Sequence, residues 1–131
     1  MSAASTYLQN ALLDHLLRGV SLPAPAAVYV ALHIEDPTEA GLGATEVDGA
    51  GYARMELAEG FSVAVAGIAL NSETLEFPEA EADWGTVKYV ALWDAATEGN
   101  MLIAAPLGTY RTVPAGDVAR WDAGALEIRI R

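Results

Sequence analysis

Apolar side chains recur along this chain at two spacings, and the change from one to the other divides it. Over residues 2–18 they fall at helical spacing: Leu8, Leu12 and Leu16, with Tyr7, Leu13 and Leu17 beside them, form one broad stripe. Gln9, Asn10, Asp14 and Arg18 take much of the remaining surface. Ser2, Ser5 or Thr6 supplies an N-cap and Gly19 a C-terminal stop. Pro23 and Pro25 then hold a connector extended. From residue 28 the period drops to two, with Val28, Val30, Leu32 and Ile34 facing inward and Tyr29, Ala31 and His33 outward.

The strongest period-two signal lies between residues 77 and 107. Over residues 86–94, Val87, Tyr89, Ala91 and Trp93 alternate with Lys88, Val90 and Leu92. A strand apolar on both faces is central and covered on both sides. Residues 94–100 are rich in turn formers, with Gly99 and Asn100 suited to positive φ, and residues 101–107 return as the antiparallel partner. Further short strands are predicted over 52–57 and 61–70, paired around Glu59-Gly60, over 74–77 and over 109–113. Residues 118–121 and 125–131 close a last hairpin around Asp122 and Gly124, with Leu126, Ile128 and Ile130 facing in.

Short strands separated by frequent turn signals predict a mostly β fold, an antiparallel β-sandwich or small barrel, preceded by one amphipathic helix. The chain of 131 residues is long enough for one domain with a real core and too short for two ordinary ones. The expected organisation is a single domain over 1–131, with the helix in 1–19 and the β-sandwich in 20–131. The helix covers the sandwich or lies on a neighbouring subunit; both arrangements bury the same leucines.

Charge narrows the functional classes. Eighteen acidic against seven basic side chains leave a net charge of −11, the wrong sign for a nucleic-acid surface or for docking on anionic membranes. A soluble acidic surface, or complementarity to a basic protein partner, remains. No stretch reaches the roughly 20 apolar residues of a membrane span, and the first residues lack the basic region and cleavage site of a signal peptide. Synthesis in a cytoplasm is therefore expected. Cysteine is absent, so no disulfide framework or thiolate metal site is available.

The search for chemistry returns little. His15 and His33 share no ligand spacing and no clustered partners, so no metal site is expected. No nucleophile elbow, Walker loop, dinucleotide fingerprint or calcium loop occurs. Asp83, Asp94, Asp117 and Asp122 sit beside turn residues and read as loop caps. Tyr52, Tyr89, Trp84, Trp93 and Trp121 have the chemistry of a sugar-binding platform, but core packing with a hydrogen-bonded tip is the commoner role. No catalytic residue, metal or cofactor is expected. Residues 35–51 have the composition of a long acidic, Gly-rich loop, and long loops in compact domains often belong to partner contacts.

The chain resembles a family of small tailed-bacteriophage structural proteins labelled phage tail fibre proteins. The motifs that carry the resemblance are STYLQNALLDHLLRG, VYVALHIEDPTEAGLG, GYAR, FPEAEADWGTVKYVALWDAATEGNMLIAAPL and VPAGDVARWDAGALEIRI, in order along nearly the whole chain. Two stretches depart from the pattern, MELAEGFSVAVAGIAL after GYAR and the strand from Met101 to Ala105. A fibre shaft needs repeats, which this chain lacks. The resemblance therefore implies a compact virion component in the tail or fibre base, the neck or the capsid surface. It acts as a homo-oligomer docking on other virion proteins. A capsid decoration protein and a receptor- or glycan-binding module reading the host surface are the alternatives. The candidate interface residues are Leu8, Leu12 and Leu16 on the helix, Tyr29 and His33 on the outward strand face, and Glu35, Glu39 and Glu46 in the long loop.

Overall fold

The computed structural model describes residues 3–57 and 60–130. Ser2, offered as a cap, Glu59, expected in a turn, and Arg131, expected at the end of the last strand, lie outside the described residues. Helix α1 spans Thr6–Arg18, after a short strand β1, Ala3–Ala4. The other strands are β2 Tyr29–His33, β3 Met55–Glu56, β4 Ile68–Leu70, β5 Leu75–Glu76, β6 Gly85–Trp93, β7 Met101–Val113, β8 Arg120–Trp121 and β9 Glu127–Arg129. Every ladder among the described residues is antiparallel. Five strands form the main sheet in the order β1-β7-β6-β2-β3, while β4–β9 and β5–β8 form two short ladders. These sheets do not close into a barrel.

The helix begins at Thr6 and not at residue 2 as expected, because Ala3 and Ala4 pair with Ala104 and Ile103 at the edge of β7. Ser5 is the cap, its hydroxyl accepting the Leu8 N–H at 3.1 Å. Gly19 ends the helix in the left-handed region, φ 71°, which costs glycine little.

β6 is the middle strand of the main sheet, as its two apolar faces require. Its alternation is interrupted once. Val87 pairs with Arg111 and Tyr89 with Pro106, so Lys88 alone spans residues 107–110 of β7. That bulge returns Val87 to the face of Val90 and Leu92, in the main core with Leu32, Phe77 and Val113. Beyond the bulge the predicted segments 101–107 and 109–113 are one strand. The opposite face carries Ala31, Ala91 and Ala104 side by side, with Trp93 and Met101.

Two expected pairings do not form. Segments 52–57 and 61–70 are not partners: β3 pairs with β2, and β4 with β9. Positive φ at Ala66 and Gly67 (55° and 79°) reverses the chain within 61–70, with Val65 and Ile68 exchanging backbone hydrogen bonds. Nor do 118–121 and 125–131 form a hairpin, since β8 pairs with β5. Asn71, buried, decides this second case. Its Oδ1 accepts the Leu126 N–H at 2.9 Å and its Nδ2 donates to the Asp122 carbonyl at 3.0 Å. The turn is thereby fastened to the end of β4, and β9 is delivered to that strand.

Candidate functional site

Residues 34–54 build a polar cluster on the alanine-lined face of the main sheet. The chain after β2 turns back so that the Ile34 N–H donates to the Thr45 carbonyl and the Val47 N–H to that of Leu32. This brings Glu46 beside His33. Arg54 grips Glu46 with two parallel bonds, Nε to Oε2 and Nη2 to Oε1, both 2.9 Å. Its remaining nitrogen donates to the carbonyls of Ala95 and Glu98, and its guanidinium lies 4.1 Å from the Trp93 ring centroid. The Tyr52 hydroxyl donates to Glu46 Oε2 and accepts the Leu32 N–H at 3.0 Å. Thr45 gives its hydroxyl proton to the Leu42 carbonyl, so His33 carries its own on Nδ1 and donates it to Thr45 Oγ1 at 2.8 Å. Nε2 is left to accept from Trp93 Nε1 at 3.4 Å. Among the described residues no buried side-chain polar atom lacks a partner.

The cluster sets its own charge states. Burial drives the pKa of His33 from its ordinary 6.5 to about 4, with Glu46 opposing the shift and Arg54 adding to it. Burial raises Glu46, but the hydrogen bonds from Arg54 and Tyr52 outweigh it and leave the carboxyl below its usual value. Burial and then the hydrogen bond to Glu46 push Tyr52 well above its ordinary value. A neutral histidine, an ionised carboxylate and a neutral phenol thus satisfy one another within the protein. This is a latch for the 35–51 loop.

Several expected interface residues are therefore placed differently. His33, expected on an outward face, is 0% exposed, because the returning loop covers that face of β2. Glu46 is turned inward onto Arg54. Tyr29 is half-buried. Glu35 is exposed and paired with Lys88 at 3.6 Å, and Glu39 is exposed while its carbonyl accepts the Thr6 N–H. The aromatic platform does not assemble: Trp84 and Trp93 are buried, and Tyr52 packs edge-on against Trp84 in the core. Asp83 and Asp94 cap loops, accepting the N–H groups of Ala115 and Asn100.

On the helix, Leu8 packs on the main core and Leu12 is half-buried. None of the thirteen helical residues, all of them described, is fully buried. Leu13, Leu16 and Leu17 are 55%, 73% and 77% exposed, and Tyr7 and Val20 are exposed as well. A second unfilled apolar feature is a groove of about 360 Å³ between the β4–β9 ladder and the main sheet, walled by Phe61, Ala69, Leu92, Ile103 and Ile128. Val63 (86%), Val65 (70%) and Ile130 stand exposed close by in sequence. The sequence signal for the groove is the run VAVAGIAL, apolar without alternation in a place too short for a buried strand. For Arg54 it is a lone cation: between Arg18 and Arg111 the chain holds one other, Lys88.

Residues 3–129, which include the helix, the cluster and every described strand, match the family model described as Podophage GP4 fiber I protein gp80. The chain belongs to this fibre protein family. No curated protein matches it. As a gp80-family fibre chain it is of the bacteriophage structural class that its motifs resemble, and the family's description is that of a virion component. GYAR acquires a physical meaning within this gp80-family chain. Gly51 sits at φ 87°, where an added Cβ would lie 2.8 Å from the Glu79 carbonyl oxygen. Tyr52 and Arg54 are the two donors to Glu46. Gly51→Ala is expected to cost about 1–3 kcal/mol through positive φ and that contact, read as a lower urea midpoint. An unchanged midpoint would show that the loop has room to shift.

Proposed function

We propose that this fibre-family protein acts by association and docking, without catalysis: copies assemble with one another and onto other virion proteins after synthesis in the host cytoplasm. The carrying observation is the helix, which exposes Leu13, Leu16 and Leu17 on the side turned away from its own core. Side chains of this size each withdraw about 100 Å² on burial. The three leucines together therefore make a patch of roughly 300 Å², at the lower end of the largest apolar patches on monomers, which are often interaction sites. Leu16 of the expected trio contributes to this surface, whereas Leu8 anchors the helix to its own core and Leu12 is half-buried.

Light scattering on the eluting protein tests this. The wild type is expected as a discrete oligomer and Leu16→Asp/Leu17→Asp as a monomer of unchanged circular dichroism. A wild-type monomer at high protein concentration would remove self-association from the proposal. The exposed Leu positions carry the test because Asp there disturbs no internal packing.

A further inference from the structure

Independently of self-association, we propose that residues 34–47 are a strap that holds the N-terminal arm, β1 with α1, against the sheet, and that acid releases strap and arm together. The Glu46–Arg54 latch catches one end of the strap. Between Glu35 and Ala44 it is mostly exposed, with Pro37 its buried residue, and it bonds largely to itself: the Gly41 N–H donates to the Thr38 carbonyl and the Leu42 N–H to that of Pro37. Its far end meets the arm. The Thr6 N–H opens α1, so it has no partner inside the helix, and it donates to the Glu39 carbonyl at 2.8 Å. Gly41 lies so close to β7 that an added Cβ would come 3.1 Å from the Cβ of Met101. Met101 pairs with Trp93, whose ring stacks on His33 and carries the Arg54 guanidinium. The arm is otherwise held by the two-residue β1–β7 ladder, the Ser5 N–H bond to the Leu102 carbonyl, and Leu8 in the core. Latch and helix seat are thus two ends of one strap.

The trigger is His33, which lies under the strap and is 0% exposed. Both of its ring nitrogens are committed, Nδ1 donating to Thr45 of the strap and Nε2 accepting from Trp93. A second proton on Nε2 sets N–H against N–H at the indole and places a cation near Arg54. Of the groups around the ring, Glu46 on the strap favours that cation and Arg54 opposes it. Tyr52 reaches the site through its bond to Glu46. β6 presents Tyr89 opposite His33, with Asp36 and Glu35 beyond it, and β7 presents the uncharged Met101 and Ala104. Water reaches the ring when the strap lifts. Opening then exchanges a ring that titrates at about 4 for one at 6.5, so the open form binds the proton and gains as pH falls.

Native-state amide hydrogen exchange on the full chain tests this, with rates corrected for intrinsic exchange at each pH. Ser5 and Gln9 report the arm, Ile34 and Val47 the strap, and the amides of β6 the sheet. Arm and strap are expected to share one opening constant, at least about tenfold above that of β6. It should rise roughly eightfold from pH 7 to pH 5.5, the factor that linkage gives for one such proton. Arm amides that open only at the level of β6 would overturn release as an event separate from unfolding. Arm amides that open readily without the pH step would overturn the coupling. Thr6→Pro isolates the link, because proline suits the first helical position and Ser5 at ψ 158° suits the residue before it. One N–H is lost and the helix is kept. In that variant the arm is expected to open alone at either pH, while Ile34 and Val47 keep the eightfold step. Arm amides still following acid there would overturn the strap as the carrier. In His33→Gln the step should vanish from both sets, with β6 as the internal reference for any general loss of stability. A step of wild-type size would overturn His33 as the trigger.

Discussion

Arg54→Ala is expected to lower the unfolding free energy by about 3–5 kcal/mol, the usual consequence of removing one member of a buried ion pair. Its side chain is 6% exposed and Glu46's 14%. Without the guanidinium, Glu46 keeps its charge in a poorly solvated place with one donor, Tyr52. The carbonyls of Ala95 and Glu98 lose the donor they share, and Trp93 loses the cation above it. Against a typical stability of about 5–15 kcal/mol this is a large fraction. Most of the cost is the stranded carboxylate, so Arg54→Met combined with Glu46→Gln should cost clearly less than the two single changes added together. Urea unfolding of wild type, the two single variants, their combination and Arg54→Ala measures this. A loss under about 1 kcal/mol for Arg54→Ala would mean that the pair is as weak as a surface one.

Acid is expected to loosen the same latch through His33. Its folded pKa, about 4, lies below its unfolded 6.5, so in the interval between them the unfolded chain binds the extra proton. The stability gained from keeping the ring neutral is complete above pH 6.5 and is lost as pH falls toward 4. By linkage the loss is about 2 kcal/mol between pH 7 and 5, and about 3 kcal/mol by pH 4. Glu46, depressed by its partners, loses its contribution in the same direction at lower pH. The informative window is pH 5–6.5, above the ordinary carboxylate range. There the slope of stability with pH should flatten in His33→Gln, whatever that variant's stability at pH 7. An equal slope in both proteins would assign the acid sensitivity elsewhere.

What was legible in the sequence follows from how local each determinant is. β2 and β6 were plain because each alternates over several residues, and they pair with each other from Tyr29–Trp93 to His33–Tyr89. β3, β5 and β8 are two residues long, too short for a period to declare itself. Their partners depend on distant fastenings such as Asn71 to Leu126. Alternation also separates two faces without telling which is dry. His33 does oppose Leu32, yet its face is not outward: it is closed by a loop whose course depends on Glu46 meeting Arg54 across eight residues of sequence. The helix was legible for the same reason as β6, and its excess was legible too. Its stripe of six large apolar residues was broader than one sheet edge covers, and Leu8 and Leu12 turned inward while Leu13, Leu16 and Leu17 remained outside.

The outer border of β7 has a consequence of another kind. On its side away from β6, β1 pairs with Ile103 and Ala104 of its thirteen residues. Pro106 then removes an N–H from the border, residues 107–110 swing out of register, and Pro114 follows the last residue. A border so interrupted is a poor template for a strand from another molecule, the route by which concentrated β proteins turn into fibrils. Chains crowded together at high concentration are thus expected to be steered away from backbone-to-backbone zippering by the same strand that carries the core.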